Sequence, residues 1–159
     1  MKIGVISDTH LNKPDEMLSQ LCETVFADAE MIFHAGDLTG LAVLNAFSGK
    51  DVVAVSGNMD RHDVAFALHD REVVQVGRFS IGLIHGWGSS RGIEERILKE
   101  FNAVDAIVYG HTHQPSNHLV NGVLMFNPGA YSGSVLFGTR RSVGLLTIND
   151  SIIGSIIPL

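Results

Sequence analysis

Seven side chains able to bind a metal recur in one setting: Asp8, His10, Asp37, Asn58, His85, His111 and His113. Each stands at or just past the end of a short apolar run, in Lys2–Ile6, Met31–Phe33, Val52–Val55, Ile81–Ile84 and Ala106–Tyr109. Imidazole nitrogen mixed with carboxylate and amide oxygen suits first-row divalent ions in five- or six-fold coordination. Seven ligands exceed one tetrahedral ion. They fit two ions about 3.5–4 Å apart with one side chain bridging. Two divalent ions bring four positive charges, of which Asp8, Asp37 and a bridging hydroxide cancel three. The remaining charge attracts a phosphate ester. No Gly-rich Walker loop is present to do that work instead.

Each residue alone has a blander reading. A single His at a strand end is usually a hydrogen-bonded structural residue, Asp8 alone could cap a helix, and Asn58 after Gly57 could simply tolerate a left-handed turn. Their joint occurrence at five run ends favours one shared site. His62, His69 and His118 lack that context and are expected at the surface. His34 fits a residue orienting a ligand and a structural residue equally well.

The site must be built from the elements that carry these residues. Short apolar runs are expected to be buried strands, and ligands in open α/β sheets bind beyond the strands' carboxyl ends. Lys2–Ser7, Met31–His34, Asp51–Ser56 and Ala106–Tyr109 read as such strands. Asn12-Lys13-Pro14-Asp15-Glu16 reads as a helix start, with Asn12 as cap. Met17, Leu18, Leu21, Cys22, Val25 and Phe26 then form one apolar face, with Cys22 in the core. Leu41–Phe47 is expected to be a short helix, and Arg61–Leu68 a short helix or irregular loop. Ile93, Ile97, Leu98 and Phe101 mark a further amphipathic helix. Glu72–Val76 with Phe79–Ile84, His118–Val120 with Val123–Phe126, and Val143–Ile148 with Ser151–Ile157 read as hairpins, the second through Asn121-Gly122. Residues 137–142 read as a mobile loop. This order of βα units followed by hairpins indicates an α/β (α+β) chain with two packed sheets flanked by helices.

Composition narrows the function. A chain of 159 residues is expected to form one domain. Its net charge is −6, and its longest basic run is Arg140-Arg141, so there is no strong nucleic-acid signal. No apolar run approaches the ~20 residues that span a bilayer. The single cysteine, Cys22, suits a reducing compartment. We expect a soluble cytoplasmic protein without a signal peptide.

Asp8-Thr9-His10, Gly36-Asp37, Gly57-Asn58-x-Asp60, His85-Gly86 and Gly110-His111-Thr112-His113 resemble the motif blocks of the calcineurin-like metallophosphoesterase superfamily, in the family's order. Small size and Asn127-Pro128-Gly129 resemble its compact bacterial and archaeal phosphodiesterase branch. The resemblance implies a four-layer αββα sandwich of two mixed β-sheets flanked by helices. It implies a single metallophosphoesterase domain over residues 1–159 with no cap domain. It also implies that Asp8, His10, Asp37 and His113 hold one metal, and that Asp37, Asn58, His85 and His111 hold the other. Asp37 would bridge, and Asp37, Asn58 and His85 would be the catalytic residues, Asn58 binding through its amide oxygen.

The expected activity is a metal-dependent phosphodiesterase using a bridging hydroxide. The alternatives are a phosphomonoesterase and a non-enzymatic scaffold of the kind found in the retromer coat. The expected cofactors are two divalent ions, Mn²⁺ first, with Ni²⁺, Zn²⁺ and Fe²⁺ as alternatives. The expected partner is a small phosphoester, with no membrane and a homo-oligomer left open. One position departs from the family: Met59 stands where many members have a His, and the compact branch often Cys, to protonate the leaving oxygen. A thioether cannot carry that proton. Asp60 then remains as a supporting residue, and His62 replaces the missing acid only if its loop folds back.

Overall fold

The structure, a computed structural model, describes residues 1–133, 138 and 140–159. The loop expected over residues 137–142 lies partly outside them. Strands are β1 (Lys2–Ile6), β2 (Met31–His34), β3 (Asp51–Ala54), β4 (Arg71–Val76), β5 (Phe79–Ile84), β6 (Ala106–Val108), β7 (Ser116–Val120), β8 (Val123–Asn127), β9 (Ser142–Ile148) and β10 (Ile152–Pro158). One mixed sheet runs β10-β9-β1-β2-β3 and the other β4-β5-β6-β8-β7. Within them β1, β2 and β3 are parallel, as are β5, β6 and β8. The three expected hairpins all form, as β4–β5, β7–β8 and β9–β10.

Side-chain alternation along the strands makes four layers. Ile3, Val5, Phe33, Leu83, Val108 and Phe126 meet between the sheets. Residues of opposite parity leave the sandwich. Ile6 and Ile32 pack outward with Leu18, Leu21 and Phe47, while Ile107 and Met125 pack with Ile93 and Ile97. The outer layers are α1 (Glu16–Glu23), a 3₁₀ helix (Leu41–Phe47) and α3 (Ile93–Leu98), and α2 (His62–Ala67) follows β3. The fold is therefore the expected αββα sandwich. Phe33 is fully buried, and truncating a core Phe to Ala costs about 3–5 kcal/mol.

Two local expectations are corrected. α1 is capped by Asp15, not Asn12: Asp15 Oδ1 accepts the N–H of Leu18 at 2.8 Å. Asn12 instead lies against Gly40, where a Cβ would meet the Asn12 carbonyl at 2.7 Å. Leu41–Phe47 winds as 3₁₀ rather than α. Cys22 is half-buried against the outer core beside α1, as expected.

Candidate metal centre

The carboxyl ends of β1, β2, β3, β5 and β6 open onto one face of the sandwich, and all seven candidate residues follow those ends. The first sheet supplies Asp8, His10, Asp37 and Asn58. The second supplies His85, His111 and His113.

Backbone geometry marks the same positions. Asp8, His10, Asp37, His111 and His113 have φ of 55°, 51°, 55°, 68° and 56°. Non-glycine residues rarely adopt this left-handed region, and such residues cluster at functional sites. Neighbouring glycines let the corners close. A Cβ on Gly110 would lie 2.0 Å from Ser7 Oγ and 2.9 Å from Asp8 Oδ2. A Cβ on Gly36, itself at φ 90°, would lie 2.7 Å from the His85 ring.

Asp8, Asp37 and His85 each have one atom fixed and one atom aimed. Asp8 Oδ2 accepts from Ser7 Oγ at 2.5 Å and from the His111 N–H at 3.3 Å. Its Oδ1 is buried with no hydrogen-bond partner among the described residues, 3.1 Å from His113 Nε2 and 4.0 Å from His10 Nε2. Asp37 Oδ1 accepts the Met59 N–H at 2.8 Å. Its Oδ2 lies 3.3 Å from His85 Nε2 and 3.9 Å from His10 Nε2. His85 Nδ1 donates to the Ala35 carbonyl at 2.7 Å. That bond leaves the Nε2 lone pair, buried and unpartnered, pointing at Asp37. A backbone carbonyl on the far nitrogen is the usual way a ligand histidine is oriented.

His111 is held at both nitrogens, Nε2 by the Gly88 carbonyl and Nδ1 by Asn58 Oδ1, each at 2.8 Å. Donors from Asp8, His10 and His113, and from Asp8, Asp37 and His85, lie within ion-sharing reach of one another. Asp8 is common to both triplets. Buried oxygen and nitrogen atoms without partners, surrounded by others of the same kind, fit divalent cations.

Protons and metal ions compete for these atoms. Burial opposes a charged His85, but the facing Asp37 carboxylate, with Asp8 beside it, outweighs burial and raises its pKa. For His113 the Asp8 carboxylate facing it is the largest influence, and its pKa too is raised. Burial would raise Asp37, yet its bond with His85 holds the carboxyl below the usual value.

Supporting residues complete the frame. The Asp60 carboxylate accepts three backbone N–H groups: Asp37 at 3.1 Å, Gly57 at 2.7 Å and Thr39 at 2.6 Å. It joins the loops after β2 and β3, which suits its expected supporting role. Asn127, at the end of β8, was not singled out in the sequence for this. Its Nδ2 donates to the Gly110 carbonyl at 2.9 Å and Thr112 Oγ1 at 3.1 Å, fixing the His-Thr-His turn. Its signal was a further strand ending in an amide. His34 is fully buried, and its Nε2 meets Thr9 Oγ1 at 3.2 Å rather than a ligand carboxylate. Burial pushes its pKa down to about 3. His62 is exposed on α2, and His69 and His118 pair with Glu72 and Glu94 near the surface. Met59 is 61% exposed.

Two clefts flank the centre. One, about 420 Å³, is lined by Asn58, His85, Trp87, Asp70, Arg71 and Glu100. The other, about 390 Å³, is lined by Glu94, Tyr109, Thr112 and Ser116.

A two-sheet sandwich with Asp and His side chains gathered at its strand ends defines a metal-dependent phosphoesterase. The calcineurin-like phosphoesterase superfamily domain matches residues 1–151, and the chain belongs to that family. It is 32% identical over 163 residues to the Methanocaldococcus jannaschii protein named "Probable metallophosphoesterase MJ0623", covering 100% of this chain and 82% of the relative. A solved archaeal phosphodiesterase superposes with TM-score 0.78 at 26% identity, over 100% of both chains. Zinc-complexed Vps29 of Entamoeba histolytica superposes with TM-score 0.67 at 28% identity, over 99% of both chains. No described helix is long and apolar enough to cross a membrane.

Proposed function

We propose that the chain is a cytoplasmic phosphodiesterase with two divalent ions, Mn²⁺ the first expectation. Asp8, His10, Asp37 and His113 hold one, and Asp37, Asn58, His85 and His111 the other. The observation carrying this reading is Asp37 Oδ2, a single oxygen facing His10 on one side and His85 on the other. When bound, the ions supply a hydroxide nucleophile at neutral pH and neutralise charge on the phosphoryl oxygens. Around them the chain's own groups position and hold. Ser7 and the His111 N–H fix Asp8, Met59 N–H and Asp60 fix Asp37, and Ala35 fixes the His85 ring. In the net reaction the water oxygen bonds to phosphorus, the ester P–O bond breaks, and a proton passes to the departing alkoxide. No side chain at position 59 delivers that proton.

Likeness to Vps29 favours a second reading, a scaffold without activity. The complete set of seven donors weighs against it. A screen of matched phosphate mono- and diesters, on protein loaded with Mn²⁺, Ni²⁺, Zn²⁺ or Fe²⁺ in turn, tests the proposal. Faster diester turnover is expected. Monoester preference overturns the substrate class, and no turnover with any ion overturns the enzyme.

A further inference from the structure

Trp87 is the chain's single tryptophan, and it stands 42% exposed two residues beyond His85. A large aromatic face left in water beside a polar site indicates a binding surface. The backbone on either side of it is held. Arg96 Nη2 donates to the Trp87 carbonyl at 2.9 Å, and the Gly88 carbonyl accepts from His111 Nε2. The indole is therefore carried by a loop tied to the metal centre itself. It lines the 420 Å³ cleft that begins at Asn58 and His85, a volume in the range that takes a small organic ligand.

Resting on the phosphodiesterase reading, we infer that this cleft is a nucleobase subsite, and that the substrate class is a nucleoside phosphodiester whose base stacks on Trp87. The cleft offers one flat aromatic plane, which suits a planar heterocycle. A quaternary ammonium group is usually enclosed by several aromatic faces, whereas Trp87 is the one large aromatic side chain among the residues lining this cleft. Arg71 is itself paired with Glu100, so it does not turn the cleft into an anion site. Asp70 supplies a carboxylate acceptor for an exocyclic amine or a ribose hydroxyl. The phosphorus then sits beside Asn58 and His85, and the base lies against Trp87.

Because Trp87 is the only tryptophan, its fluorescence reports on this cleft alone. Protein loaded with diamagnetic Zn²⁺ is titrated with adenosine 5′-monophosphate, ribose 5-phosphate and phosphocholine. Saturable quenching by the nucleotide is expected, at concentrations about tenfold or more below any response to ribose 5-phosphate. Equal responses, or none to the nucleotide, overturn the inference, and a response to phosphocholine alone assigns the cleft to a quaternary ammonium. A second experiment compares thymidine 5′-(p-nitrophenyl) phosphate with methyl p-nitrophenyl phosphate, which share a leaving group. Trp87→Ala is expected to raise KM for the nucleoside ester about tenfold relative to its effect on the methyl ester, and Trp87→Phe to recover most of the difference. A ratio near one in both variants overturns the subsite while leaving the phosphodiesterase standing. Hydrolysis of neither ester, with nucleotide quenching intact, overturns the phosphodiesterase and leaves the base site.

Discussion

His111 Nδ1 and Asn58 Oδ1 face each other across 2.8 Å, while the opposite ring nitrogen of His111 is taken by the Gly88 carbonyl. A neutral imidazole donating to Gly88 has only a lone pair left for Asn58, whose oxygen also brings a lone pair. A cation shared between them resolves the conflict. Without one, the amide must turn its NH₂ toward the ring, or the ring must take a second proton. His113, by contrast, faces Asp8. His111→Ala is therefore expected to remove one ion and His113→Ala the other. Metal content and anomalous scattering on each variant check this, and loss of the same ion from both refutes the pairing.

Asp37→Asn is expected to lose both ions, or to cut turnover by several orders of magnitude, because Oδ2 lies 3.9 Å from His10 Nε2 and 3.3 Å from His85 Nε2. Asp8 belongs to both donor triplets, so Asp8→Asn is the matched control. Retention of one ion is expected there. If Asp8→Asn empties both sites and Asp37→Asn only one, the bridge is Asp8.

Asp60 holds three N–H groups from two loops. Hydrogen bonds to a charged acceptor contribute about 1.5–3 kcal/mol each, without simple additivity. Asp60→Ala is expected to destabilise the fold by about 2–5 kcal/mol and to weaken metal binding, with Asp60→Asn intermediate. Denaturant unfolding with and without metal separates the two effects.

The raised histidines set the metal-free protein's response to pH. His85 and His113 lend stability that is full below the unfolded value of about 6.5 and is lost as pH rises through their folded values. His34, held down near 3, acts only below about 6.5, where the unfolded chain takes a proton that the folded one refuses. Above about pH 6.5 the metal-free melting temperature is therefore expected to fall. Metal affinity moves the other way, dropping as pH falls from about 7.5 to 5.5, since ligand histidines must be neutral. Thermal melts with chelator, beside metal titrations, measure both slopes.

Met59 lies exposed at the mouth of the site, its N–H tied to Asp37. With no acid at that position, rates are expected to depend steeply on leaving-group pKa, aryl diesters far exceeding alkyl diesters. Met59→His is expected to flatten that slope, since a positioned acid typically contributes ~10²–10⁴-fold. A graded ester series on both proteins at saturating metal measures it. Equal slopes place the proton donor elsewhere.

The seven candidate residues were legible because buried parallel strands are apolar throughout, so a polar residue at each end stands out. Both sheets and all three hairpins followed from the same contrast of apolar run and turn. Less was legible where the chain acts through its backbone. Asn127 holds a carbonyl and a hydroxyl of a turn that its own segment does not contain. The α1 cap moved from Asn12 to Asp15 because Asn12 is committed to its contact with Gly40, which no local pattern announces. Trp87 sits in a polar loop with no periodicity around it.

Five of the seven candidate residues sit in left-handed backbone, a conformation that disfavours each non-glycine residue by roughly 1–2 kcal/mol. In a lineage that stopped needing the ions, selection for stability alone would erode these corners first. Single replacements by glycine, at His10 for example, are expected to raise the melting temperature of the metal-free chain while weakening metal binding. The sandwich beneath would persist unchanged, free to take up other work. A family built this way is expected to shed its catalysts stepwise and keep its shape, each loss making the next easier to tolerate.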